Sequence, residues 1–213
     1  MKCYAFIDAS NLFYGGEKSL GWKIDYRKLF KYLKKKYGVS KVFYFGGVEL
    51  DGYKYDYLLQ DTVNLDELSK FMVEREKVVA ASKSAMVKEI FQKNLQKLKF
   101  YLKLREFGFV MLLKPVKVYK IVGETAKRKA NCDVDMTLQL LTEKYDRAVI
   151  LSGDGDFLPV IKHIKNLGKK VYILARGART AREIRQLAGG DFRDFEYLKY
   201  QIGMSRTKKG RLV

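Results

Sequence analysis

Between Ala148 and Leu174 the chain reads AVILSGDGDFLPVIKHIKNLGKKVYIL, and this stretch narrows the choice of folds sharply. Ala148 to Leu151 is an unbroken apolar run, as a strand buried on both faces requires. SGDGD then stops it with two glycines and two carboxylates. From Phe157 the apolar residues recur at Leu158, Val160, Ile161, Ile164 and Leu167, a helical spacing, and Gly168 stands where a helix ends in a left-handed residue. A second apolar strand, Lys170 to Leu174, follows at once. Strand, turn, helix and strand so closely joined make a βαβ unit with parallel strands and a right-handed crossover. Ligands of such sheets gather at the carboxyl ends of the strands, where Asp154 and Asp156 stand. The plainer reading makes Asp156 the cap of the following helix, with Pro159 inside its tolerant first turn.

The rest of the chain repeats the pattern. Cys3 to Ile7 is β-prone and ends at Asp8. Asp25 is placed to cap a helix through Tyr37 that buries Tyr26, Leu29, Phe30 and Leu33 and closes at Gly38. Val42 to Phe45 reads as the next strand, with Gly46 and Gly47 marking its end. The 53–107 segment has neither glycine nor proline and predicts two long helices. The clearer one covers about Ser84 to Arg105, with an apolar stripe at Val87, Ile90, Phe91, Leu95, Leu98, Tyr101 and Leu102, and a face bearing Lys88, Lys93, Lys97 and Lys99. Such a hairpin either packs on the sheet with its lysines solvated, or clamps nucleic acid, or forms a homodimer. Phe109 to Leu113 reads as a strand, and Val116 to Val122 continues it or pairs nearby. Asn131 to Asp135 then opens an apolar-periodic helix through Met136, Leu138, Leu140 and Leu141. Residues two apart on a helix diverge, so Asp133 and Asp135 share one target only if Asp133 still lies in the turn.

Charge points to a partner. The chain of 213 residues carries 43 Lys and Arg against 24 Asp and Glu, a formal +19, for which a polyanion is the natural counterpart. The surplus clusters at Lys114, Lys117, Lys120, Lys127, Arg128 and Lys129, interleaved with Tyr119, a mixture suited to phosphates and stacked bases. Arg176, Arg179, Arg182 and Arg185 follow the last core strand; Arg176 and Arg179 are expected to border the site. Arg206, Lys208, Lys209 and Arg211 lie in a basic tail, 201–213. Two cysteines, Cys3 and Cys132, offer no disulfide framework or cysteine zinc site. A reducing cytoplasm fits that usage; a signal peptide and a membrane-length apolar run are not seen. The lone His163, mid-helix on a packed or half-exposed face, gives histidine-based cleavage little support. GDGD lacks the GxGxxG pattern of a dinucleotide site, and no Walker loop is present.

FIDASN, NCDVDMTLQLL and the Ala148 to Leu174 stretch together resemble the NYN family of PIN-like nucleases, also described as LabA-like. The likeness spans the framework of a single domain, 1–200, outside a helical insertion at about 53–107. It implies an α/β fold: a PIN-like three-layer sandwich with a central, mostly parallel sheet and a long helical insertion. It also implies metal-dependent endonucleolytic hydrolysis of RNA. Carried over by position, Asp8, Asp133, Asp154 and Asp156 form the acidic centre, Asp135 is a further ligand candidate, and Asn11 and Ser152 are polar neighbours. Oxygen-only ligands suit Mg²⁺ or Mn²⁺ better than zinc. Single-stranded RNA is the expected partner, with Lys114, Lys117, Lys127, Arg128, Lys129, Arg176 and Arg179 as its contacts. The chain departs from the family's pattern at Gln139, where the helix often carries another Asp, and at Asn131, where Gly is usual. Two alternatives stand beside this reading: an RNA-binding module without turnover, and a metal-dependent phosphatase.

Overall fold

The computed structural model describes residues 1–119 and 127–205, excluding the side chains of Tyr119 and Lys127. Lys120, the Lys127 side chain and the basic tail from Arg206 onward therefore lie outside the described residues. Six strands form one parallel sheet in the order β3-β2-β1-β6-β7-β8. In chain order, β1 (Cys3–Asp8) leads into a π-helical turn (Asn11–Glu17), a short α1 (Lys18–Leu20), α2 (Tyr26–Tyr37) and β2 (Val39–Val48). Helices α3 (Leu65–Ala80) and α4 (Ala85–Glu106) precede β3 (Phe109–Pro115). A two-stranded antiparallel ribbon, β4 (Lys117–Tyr119) and β5 (Lys127–Lys129), follows. Then come α5 (Asp133–Thr142), β6 (Arg147–Leu151), a 3₁₀ turn (Gly155–Phe157), α6 (Leu158–Asn166), β7 (Lys170–Ala175), α7 (Arg182–Ala188), β8 (Phe192–Asp194) and α8 (Lys199–Ile202).

Strand alternation sorts the core into two layers. Cys3, Ala5 and Ile7 of β1, with Val149 and Leu151 of β6, pack under α2, α3 and α4 through Leu29, Leu33, Leu68, Leu98 and Leu104. Tyr4, Phe6, Ala148 and Ile150 face the other way, onto α5, α6 and α7 through Met136, Leu140, Ile161, Ile164 and Ile184. The chain is thus a three-layer α/β sandwich with a central parallel sheet, as expected. The α3–α4 hairpin is the crossover from β2 to β3, and its buried Phe91, Leu98, Tyr101 and Leu104 belong to the core. Its stripe is shorter than periodicity suggests, because Val87 and Ile90 near the hairpin tip are exposed.

Some local expectations are corrected. Gly46 and Gly47 do not end β2: they pair with Leu113 and Lys114 of β3, and a Cβ at Gly47 would lie 2.5 Å from Ala130 Cβ and 2.9 Å from Val116 Cγ2. Glycine is needed there for close approach rather than for a turn. Of the two courses open after Pro115, the described residues take the second: Lys117–Tyr119 pairs nearby as β4 of the ribbon and does not extend β3. Asp154, not Asp156, is the capping carboxylate here: it caps the 3₁₀ turn that leads into α6, accepting from the Asp156 N–H at 3.1 Å, while α6 itself has Phe157 at its N-cap and no side-chain cap. The His163 ring side of α6 is exposed. Gly38 and Gly168 do close α2 and α6 at φ +69° and +78°.

Candidate active site

β1 lies beside both β2 and β6, and the chain leaves it in one direction toward β2 and β3 and later in the other toward β7 and β8. The carboxyl ends of β1 and β6 are therefore the topological switch point, where open α/β sheets leave a crevice. Asp8 ends β1 and continues the alternation of Tyr4 and Phe6, which aims it toward the α5 layer. Ile7 pairs with Leu151, so Ser152 is the next position beside Asp8.

Local hydrogen bonds fix the acidic turn. Asp8 Oδ1 accepts from the N–H of Ser10 at 2.9 Å and of Asn11 at 3.1 Å. The buried Ser152 hydroxyl donates to Asp8 Oδ2 at 3.2 Å and accepts from the Asp154 N–H, also at 3.2 Å. Asn11 Oδ1 accepts from the Gly153 N–H at 3.0 Å. A Cβ at Gly153 would stand 2.5 Å from Thr180 Oγ1 and 3.0 Å from Thr180 Cα, so only glycine fits that approach. Asn11 and Ser152 thus hold the two strand ends together.

A single cleft of about 1570 Å³ contains Asp8, Asn11, Asp133 and Asp154 in its walls. Asp133 reaches it from the first turn of α5. Burial raises the Asp8 carboxyl above its ordinary value and the Asp133 carboxylate adds to the rise, while the backbone N–H groups and Ser152 oppose it. Burial also raises Asp133; Lys129 opposes this, and Asp154 and Asp156 push it further up. Burial drives the neighbouring Cys132 thiol up to about 12, reinforced by Asp135, Asp133 and Asp8. Four of the five expected aspartates therefore share one field. Asp156 is exposed and acts on it from outside the cleft lining. Asp135 turns away, its Oδ1 3.1 Å from Lys114 Nζ.

The expected cations divide similarly. Arg128, Lys129 and Arg179 line the cleft. Arg128 pairs with Glu49 at 2.9 Å, and Lys129 lies 4.0 Å from Asp133. Lys114 is engaged by Asp135, and Lys117 lies over the Tyr57 ring at 4.7 Å. Arg176 instead braces the molecule, pairing with Asp194 at 3.1 Å and Glu196 at 2.6 Å. Sequence reasoning passed over Phe13, Tyr14, Lys23, Arg27, Phe100 and Lys103, which also line the cleft. The available signal was a pair of aromatics directly after ASNL with no helical or strand period to bury them.

Among the described residues, no three Asp, Glu, His or Cys side chains already converge as a ligand cage. The donor set nevertheless suits a hard cation: oxygen atoms only, with Asp133 raising the Asp8 carboxyl and Asp154 and Asp156 raising that of Asp133, so that a shared positive charge would relieve them. Mg²⁺ in particular keeps several waters and takes one or two carboxylates plus substrate phosphate, so a spread set is compatible with it.

The description "NYN domain" matches this chain over residues 2–196. No curated protein matches it. A crystal structure of a protein of unknown function from Vibrio parahaemolyticus is similar, with a TM-score of 0.56 and 19% identity over 88% of this chain and 89% of that one, a likeness of fold. No helix among the described residues is long and apolar enough to cross a membrane.

Proposed function

The chain belongs to the NYN domain family of PIN-like nucleases, and from that premise we propose that it is a divalent-metal-dependent endoribonuclease acting on single-stranded RNA. Nucleases of this family act on RNA and are generally metal-dependent. The observation that carries the proposal is that Asp8, Asp133 and Asp154, from three separate parts of the chain, line one cleft together with Arg128, Lys129 and Arg179.

Asp8, Asp133 and Asp154 would hold Mg²⁺ or Mn²⁺, with Asp156 at the margin. The bound ion would supply charge to neutralise the carboxylates, acidify an attacking water and stabilise the departing oxygen. Ser152 and the N–H groups of Ser10 and Asn11 orient the Asp8 carboxylate, the supporting role that outer hydrogen bonds play around hard-cation sites. Asp154 keeps Oδ1 on the Asp156 N–H and turns its exposed carboxylate toward solvent and substrate. Arg128, Lys129 and Arg179 bind flanking phosphates and keep the scissile one against the acids. In-line attack leaves a 5′-phosphate and a 3′-hydroxyl.

Purified protein should cut a labelled single-stranded RNA with Mg²⁺ or Mn²⁺, stop with chelator, and leave 5′-phosphate ends. One observation favours a second reading, an RNA-binding module without turnover: the Asp8 carboxylate already satisfies three protein donors. Binding without metal-dependent products would establish that reading instead. A phosphatase is less well supported, since the cleft exceeds the roughly 300–1,000 Å³ usual for small ligands.

A further inference from the structure

The cleft extends well beyond the acids, over the ends of β1 and β2 to the gap between α2 and α4. On its near side is the π-helical turn Asn11–Glu17, whose first residue is pinned to the acidic turn by the Gly153 N–H. Phe13 and Tyr14 project from this turn into the cleft with 46% and 54% exposure, their ring centroids 5.1 Å apart and edge to face. Neither ring belongs to the two core clusters. Beneath them the turn is tightly packed: a Cβ at Gly15 would meet Asn11 Oδ1 at 3.3 Å, and one at Gly16 would meet Phe195 at 3.4 Å. Two large, half-exposed aromatic rings thus stand on a packed support tied to the acids, touching each other and, for Tyr14, the Lys18 ammonium 5.5 Å from the ring centroid, but not the core. π-Helical turns are frequent at functional sites.

The cleft wall opposite carries charge. Lys97 of α4 and Arg27 of α2 line it. Lys97 is exposed on α4, with its Nζ 5.9 Å from the centroid of the Tyr101 ring; burial lowers its pKa, Glu49 opposes this, and Arg128 adds to it.

We propose that Phe13 and Tyr14 form a stacking platform for an unpaired nucleobase next to the scissile phosphate, with Lys97 and Arg27 holding the adjoining backbone. The inference deepens the nuclease reading, since it takes the acidic end as the place of cleavage. It makes strandedness a property of binding itself, because a base buried in a duplex offers no face to an aromatic ring. The α3–α4 crossover then contributes a wall of the substrate channel through Lys97.

The test is binding, measured by anisotropy of a labelled mixed-sequence oligoribonucleotide with chelator present. Its arms are the single strand, the same strand annealed to its complement, and an abasic strand of equal length. The double variant Phe13→Ala/Tyr14→Ala should weaken single-strand binding about tenfold or more and leave the abasic strand unaffected; Tyr14→Trp should retain binding. Lys97→Ala should reduce the slope of log affinity against log salt by about 0.7. Unchanged single-strand affinity in the double variant, or an equal loss on the abasic strand, overturns the platform. Aromatic-dependent binding without metal-dependent cleavage would uphold the platform and sink the nuclease reading. Cleavage with binding indifferent to both rings would do the reverse.

Discussion

Lys114 Nζ lies 3.1 Å from Asp135 Oδ1, joining the end of β3 to the first turn of α5. Asp133, two residues earlier, points instead into the cleft with Asp8 and Asp154. On the proposed nuclease reading the two side chains divide structural from catalytic work. Asp133→Asn should lower kcat/KM at least about 100-fold, whereas Asp135→Asn should leave the rate near wild type and cost about 0–1 kcal/mol. Steady-state cleavage kinetics and urea melts decide this, and equal loss of rate in both variants would refute the division.

Asp154 has two functions that one substitution separates. Asparagine can still accept from the Asp156 N–H, so Asp154→Asn should keep stability within about 0.5 kcal/mol. Cleavage should nonetheless fall at least about 100-fold because the charge is lost. Near-wild-type turnover in this variant would remove Asp154 from the acidic centre.

The raised pKa values of Asp8 and Asp133 give a signed pH dependence. The native chain retains protons that the unfolded chain releases near 3.8, the ordinary value for both groups. Their contribution to stability therefore declines as pH rises from that value through the raised native values, and the penalty is complete above them. With chelator present, Asp133→Asn should become more stable relative to wild type across that window. Mg²⁺ or Mn²⁺ at a hundredfold excess over Kd should stabilise wild type at neutral pH by about 2.7 kcal/mol. Melts showing the opposite trend with pH, or no metal shift, would falsify the account of a mutually repelling site.

Arg176 and Arg179 should respond differently despite their proximity in sequence. Arg176→Ala strands the carboxylates of Asp194 and Glu196 and should cost about 2 kcal/mol. Arg179→Glu should leave stability nearly unchanged and reduce the salt slope of single-strand RNA binding by about 0.7 or more. Denaturant midpoints paired with salt titrations separate the effects; an unaltered slope for Arg179→Glu would take that residue out of the RNA path.

Gly153→Ala tests the clamp between strand ends. The added methyl meets Thr180 and must displace backbone that also holds Asn11 and Ala181, with an expected loss of about 1–3 kcal/mol. Cleavage should fall with it, and Thr180→Gly should partly restore both. Failure of that rescue would place the defect elsewhere.

The parts of this fold that can be read along the chain are those made by neighbours. The apolar run ending at Leu151, the period of α6 and the caps Asp25 and Gly38 depend on local geometry, so Asp8 and Asp154 could be located at strand ends in advance. What escaped depends on distant partners. Gly46 and Gly47 look like a stop until β3 pairs with them, because tertiary pairing overrides the weak strand preference of glycine. Arg176 looks like a substrate contact until Asp194 and Glu196, around the three-residue β8, capture it. Lys114 belongs to the basic stretch along the chain, and only the packing of α5 beside the end of β3 gives it Asp135 as a partner. Phe13 and Tyr14 resemble core residues in composition and differ in packing on each other rather than on either core layer.

The Ser152–Asp8 hydrogen bond joins positions 144 apart in the chain. β1 therefore emerges during synthesis long before its neighbour β6 exists. At about 5–20 residues per second, the interval is roughly 7–30 s. Throughout it the central strand has one edge unpaired, and the acidic turn that completes the site has not yet been made. The acidic turn is thus assembled only once residue 152 has been made, and a ribosome that stalls before it releases a fragment unable to form the Ser152–Asp8 contact.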